Sequence, residues 1–190
     1  MISLQELVSA VYGAFRLAQF REDGMAYFNV TTAGFWRSFF AAVLVFPPIF
    51  MLWAGSAEST NTVHDGIIFI LAYVIGWLAF PLAMVPVSEL LDRDDRYIPY
   101  IVANNWASIP QTLLLIAVVV LRAGFGLSKE LTGLLVLAAY AAIFAYMWFV
   151  ARTALKISGF AAAGVVALSI ALTVAIVLTR DSFSTAAPVQ

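Results

Sequence analysis

The chain has 190 residues, 63% of them apolar and only 11% charged, with a mean hydropathy of +0.96; a soluble domain carries roughly twice that charged fraction, so water is not its main solvent. A net charge of −1 leaves no basic stripe to hold a phosphate backbone, and nucleic acid is not expected as a partner. The absence of cysteine rules out disulfides, cysteine metal sites and thiol catalysis.

Met1 to Glu6 carry no lysine or arginine, so the N-terminus is expected to be retained rather than cleaved as a secretion signal. Leu4, Leu7, Val8, Val11, Tyr12, Phe15 and Ala18 then recur at three- and four-residue steps, and Ser3 with Glu6 has the spacing of a capping box. This predicts an amphipathic interfacial helix on the cytoplasmic membrane surface, with Arg16 and Arg21 near anionic headgroups. Packing of that helix on the bundle's own loops is the alternative. Residues 1–33 are thus a helix and linker, with Gly24 and Asn29 to Gly34 turning the chain into the first span.

Residues 34–180 hold five apolar runs long enough to cross about 30 Å of hydrocarbon as helices. They extend from Phe35 to Ala54, Gly66 to Val87, Ile98 to Leu121, Leu131 to Val150 and Gly159 to Thr179. The runs do not alternate as barrel strands would, so the expected fold is an all-α five-helix transmembrane bundle. Residues 181–190 are expected to be a disordered tail.

Arg16, Arg21, Arg37, Arg93, Arg96, Arg152 and Lys156 fall on one side of such a bundle, and Arg122, Lys129 and Arg180 on the other. The positive-inside rule then puts the N-terminus in the cytoplasm and the C-terminus outside, in what we read as a bacterial inner membrane.

Within the spans, the first feature is proline: Pro47, Pro48, Pro81, Pro86, Pro99 and Pro110, each expected to kink a helix where it is interior. The second is a polar stretch in the third span, in which Asn104, Asn105, Ser108, Gln111 and Thr112 need a partner or a hydrated cleft because unpaired amides are costly in hydrocarbon. Interhelical glue is the commoner role of such amides; a polar site is the sharper one. The third is a row of small residues four apart in the last span, Gly159, Ala163, Ala167, Ala171 and Ala175, with Ser169 and Thr173 on a neighbouring row. It predicts a close-packing seam, used within the monomer or between copies. Shorter versions are Ala138 with Ala142, Ala141 with Ala145, and Ala72 with Gly76.

No span carries a charge at its middle, which disfavours an ion-coupled pump. Arg37 is expected to snorkel or to pair with the acidic loop Glu89 to Arg96, itself read as a self-paired turn rather than a metal site. His64 has no nucleophile motif around it, and no catalytic, metal or cofactor site is expected.

Tyr100 to Pro110, a helix opening with small residues and proline, and Tyr140 to Lys156, aromatic and small residues closing on a basic turn, resemble corresponding stretches of the Yip (Ypt-interacting protein) domain family. The resemblance implies a non-enzymatic membrane protein that engages partners or shapes membranes. The leading expectation is therefore a scaffold or partner-binding protein that meets the lipid bilayer and a membrane-protein partner or a second copy. A small permease or channel component built around Asn104 to Thr112 is the alternative.

Overall fold

A peptide group in hydrocarbon has no water to bond, so an apolar chain of this composition closes its backbone hydrogen bonds within each segment. The computed structural model, which describes residues 2–56 and 62–185, is helical throughout with no strand among the described residues. The elements are α1 (Leu4–Ala18), a 3-10 turn (Glu22–Tyr27), α2 (Thr32–Ser38), α3 (Phe40–Ala54), α4 (Val63–Leu90), a second 3-10 turn (Asp94–Arg96), α5 (Tyr97–Phe125), α6 (Lys129–Leu155) and α7 (Gly159–Thr185). Among the described residues, five stretches are long and apolar enough to cross a membrane, with α2 and α3 together making the first. This is the architecture of a multi-pass membrane protein.

The spans alternate in direction, so α1, the Asp94–Arg96 turn and the α6–α7 turn share one end of the bundle, here the near end. The α3–α4 and α5–α6 connections and the close of α7 share the far end. The α3–α4 connection is described only in part, since 57–61 lie outside the described residues. Both turns flanking α6 close on left-handed residues, Gly126 (φ 60°) and Lys156 (φ 54°), which stop a helix and reverse the chain.

Two expectations about the spans change. The first span is not interrupted at Pro47 and Pro48, through which α3 runs on, but at Phe39. There the Ala42 N–H reaches the Phe39 carbonyl three residues back and tightens the turn. Pro99 falls in the first turn of α5, where its missing N–H leaves no helical bond unmade. At the C-terminus α7 extends past Arg180 to Thr185, so the first part of the expected disordered tail continues the helix; 186–190 lie outside the described residues.

Residues 2–38 form a folded unit rather than a helix and a linker. Ser3 caps α1 by accepting from the Glu6 N–H at 3.1 Å, but the Glu6 carboxylate does not close the box. It turns to the Asn29 amide (3.0 Å) and to Arg37 Nε (3.2 Å), so Arg37 pairs with α1 rather than with the acidic loop. Gly13 and Gly24 press their backbones together: a Cβ at either would come within 2.8 Å of the other's carbonyl oxygen. Around that contact, the Ser9 hydroxyl donates to the Tyr27 carbonyl, Tyr12 meets Tyr27 edge-on at 4.8 Å, and Arg16 clasps Asp23 through two nitrogens. The face of α1 made of Ala10, Ala14 and Leu17 is buried in the main core, where the Tyr146 hydroxyl donates to the Ala14 carbonyl at 2.8 Å. Leu4, Val8, Tyr12 and Phe15 are left exposed on the other side.

Two predictions follow from this unit. A Cβ at Gly34 would lie 1.9 Å from the Asn29 carbonyl oxygen, whereas one at Gly164 would meet nothing within 4 Å. Gly34→Ala should therefore cost about 2 kcal/mol or more, seen as a thermal midpoint in detergent lower by roughly 4–8 °C, with Gly164→Ala unchanged. The hydrogen bonds from Arg16 hold the Asp23 carboxyl below the ordinary aspartate range. Its contribution is present above that range and is lost as pH falls through the lowered value. The protection of the 22–28 amides relative to their intrinsic exchange rate should fall in acid in the wild type, and Asp23→Asn should show that lower protection already at neutral pH.

Candidate functional site

The five spans stand in a ring. α5 packs on α3 and α6, α6 on α7, and α7 on α4. Aromatic contacts between α4 and α3 close the circle: Trp53 stacks on Phe69 at 4.4 Å, Phe46 meets Tyr73 at 5.1 Å, and the Tyr73 hydroxyl donates to the Ala42 carbonyl at 2.6 Å. Rings this large hold α3 and α4 apart at side-chain length, and a cavity of about 500 Å³ lies inside the circle.

Three walls are made by helical periodicity. Phe69, Tyr73, Trp77 and Phe80 stand four, four and three residues apart along one face of α4. Opposite them, Asn104, Ser108 and Gln111 stand four and three apart on α5, so one polar face looks into the cavity. Ser169, Thr173 and Arg180 line it from α7. At the near end Phe80 meets Tyr100 edge-on at 6.1 Å and the Tyr97 hydroxyl donates to the Pro81 carbonyl at 3.1 Å, which ties α4 to α5 below the cavity. Arg180 stands toward the far end, ion-paired with Asp181 at 2.8 Å, where His64 Nε2 also lies 3.5 Å from the Phe183 carbonyl.

The polar stretch of α5 therefore splits by face. Asn105 borders the cavity too, but it is buried and donates from Nδ2 to the Ser38 hydroxyl at 2.9 Å; Ser38, fully buried, donates its own hydroxyl to the Phe35 carbonyl at 2.7 Å. This chain of bonds fastens α5 to α2 and is interhelical glue. Ser108 returns its hydroxyl to the Asn105 carbonyl at 2.7 Å. Thr112, also buried, turns away from the cavity and lines an apolar groove between α1, α3 and α5. Asn104 and Gln111 differ from all of these, because their side-chain amides have no hydrogen-bond partner among the described residues and both face the cavity.

Sequence reasoning missed Ser38 and Tyr73. A serine one turn inside the first span was the available signal for Ser38; nothing local marked Tyr73, which is defined by the carbonyl it reaches on another helix. Ser169 and Thr173 were visible only as a row beside the alanines. Those alanines are not the contact within the monomer. α7 buries Ala162, Val165 and Val166 instead, and Ala163, Ala167, Ala171 and Ala175 are exposed. Gly159 alone of that row packs, with its carbonyl accepting from Trp148 Nε1 at 2.8 Å. Ala138, Ala141, Ala142 and Ala145 of α6 are exposed as well, whereas Ala72 and Gly76 of α4 do turn inward to the cavity.

No family model matches the chain, and neither the curated proteins nor the solved structures contain a match to it.

The split by face makes a stability prediction. Asn105→Ala strands the Ser38 hydroxyl without its donor and should cost about 1 kcal/mol. Asn104→Leu and Gln111→Leu remove amides that bond nothing in the protein, so the midpoint in detergent should hold or rise, as it does where a site sacrifices stability for function.

Proposed function

We propose that the chain is a non-catalytic membrane protein that takes a small solute into the cleft between α4, α5 and α7, as a small permease or channel component. One observation carries this: the Asn104 and Gln111 amides face a cavity of about 500 Å³ with no partner of their own. An unpaired amide in a dry membrane interior costs a few kcal/mol, and glue would have paired it, as Asn105 is paired. The volume falls in the range of roughly 300–1,000 Å³ common to small-molecule sites. With no enzyme-like constellation on its walls, the cleft binds and passes rather than transforms.

We place the protein in a bacterial inner membrane with the N-terminus cytoplasmic, supported by seven basic residues (Arg16, Arg21, Arg37, Arg93, Arg96, Arg152, Lys156) against three on the other side. The near end is then cytoplasmic and tied shut by Phe80, Tyr100 and Tyr97, and the Arg180 end faces outward. In this placement Leu4, Val8, Tyr12 and Phe15 of α1 face lipid at the interface.

The cysteine-free chain makes the test direct. Ser108→Cys and Gln111→Cys should react with a water-soluble, membrane-impermeant thiol reagent added outside, while Leu78→Cys, on the exposed face of α4, should not. If both cleft positions prove inert, the cavity is dry and the solute reading falls.

A second reading, a partner-binding scaffold, is favoured by the exposed alanine rows of α6 and α7 and by the likeness to the Yip domain family. Under it, Ala167→Leu and Ala171→Leu should reduce recovery of a copurifying chain or of a second copy while leaving the thermal midpoint of the monomer intact.

A further inference from the structure

If the cleft admits a solute, its walls restrict what that solute is. The α4 wall is a ladder of aromatic side chains, Phe69, Tyr73, Trp77 and Phe80, all on one side of the helix; Phe69 and Phe80 are buried against Trp53 and Tyr100, so the half-buried Tyr73 and Trp77 have most ring surface to offer. Tyr73 has its hydroxyl engaged by the Ala42 carbonyl, so its contribution toward the cavity is the ring rather than the polar tip. Opposite the ladder stand two primary amides, Asn104 and Gln111, each with a carbonyl acceptor and an NH₂ donor unused by the protein. Between these walls a ligand meets a π face on one side and mixed donors and acceptors on the other.

Charge decides the remaining property. Among the described residues that line the cavity there is no aspartate or glutamate, and the cation that does line it, Arg180, is ion-paired with Asp181. A cationic solute would leave water for a wall with no carboxylate, and an anionic one would have to compete with Asp181 for Arg180 at the far end, both of which the membrane interior penalises. A neutral solute meets no such penalty. Amides satisfy a neutral amide-like edge by giving and taking one hydrogen bond each, whereas a carboxylate could use only their donors and an ammonium only their acceptors.

We propose that the cleft selects a neutral, flat aromatic or heteroaromatic molecule whose edge carries an amide-like donor and acceptor, stacked on the α4 ladder with that edge toward Asn104 and Gln111. The proposal rests on the solute reading above, and the experiment separates the two.

Full-length Ser108→Cys protein in liposomes is labelled with the thiol reagent in the presence of benzamide, benzoate, benzylammonium or cyclohexanecarboxamide. Benzamide should slow labelling by a factor of 1 + [ligand]/Kd, about threefold at twice its Kd, and the other three should slow it much less at the same concentration. In the same background Asn104→Leu and Trp77→Leu should abolish benzamide protection and Trp77→Phe should keep it. The unprotected labelling rate and the thermal midpoint show whether each variant retains the cavity. Protection by benzoate or benzylammonium as strong as by benzamide would overturn neutrality, and equal protection by cyclohexanecarboxamide would overturn the flat aromatic face. Brisk labelling that no probe slows overturns this proposal and leaves the solute cleft standing, whereas a Ser108→Cys that never reacts removes both.

Discussion

Inside a bilayer the backbone has to bond to itself, and that constraint comes before every other feature of this protein. Once each span has closed its own ladder of N–H and carbonyl groups, lipid offers no gain for burying one apolar face rather than another. What then arranges the spans is close packing and a few polar side chains. Among the described residues these include Asn105 to Ser38, Tyr73 to Ala42, Tyr97 to Pro81, Tyr146 to Ala14 and Trp148 to Gly159. Four of the five end on a backbone carbonyl of another segment, which already serves its own helix and has a second lone pair to give.

Seen this way, the N-terminal unit is part of the bundle rather than an attachment to it. Gly13 against Gly24 lets the 3-10 turn lie on α1 at backbone distance, and the Glu6 carboxylate joins α1 to both Asn29 and Arg37. An arginine one turn inside a span would ordinarily have to reach back toward headgroups; Glu6 meets it instead. Because Ala14 accepts from Tyr146 and Leu17 is fully buried, α1 holds α5 and α6 in place as much as it contacts the surface. Truncation of that helix would expose a tyrosine hydroxyl and a core face together, and so would disturb more than any role in partner binding.

The cavity follows from the same economy of contacts. Large rings on α3 and α4 keep those helices apart, and α4 leans on α7 more than on α5. A ring of five helices held at these distances leaves its centre open, and the α5 face that points there carries the amides that found no partner. The polar stretch thus serves two ends at once, with Asn105 fastening and Asn104 and Gln111 left available, although they sit side by side or within two turns along one helix.

Five spans, their limits within a few residues, and the polar character of Asn104 to Thr112 were legible in the sequence because each depends on run length and residue type alone. Which neighbour a helical face meets is a different kind of fact. The row from Ala163 to Ala175 shares one face by periodicity, yet the structure buries Ala162, Val165 and Val166 and leaves that row outside, because small residues occur on both faces of α7 and spacing does not choose between them. Likewise Asn104 and Asn105 both border the cavity, but a rotation of one residue, about 100° around the helix, brings only Asn105 within reach of Ser38 and leaves the Asn104 amide unpaired. Local chemistry determined that the chain must be helical across a membrane; only the packing of one helix on another decided which of its polar groups are satisfied and which remain for something else.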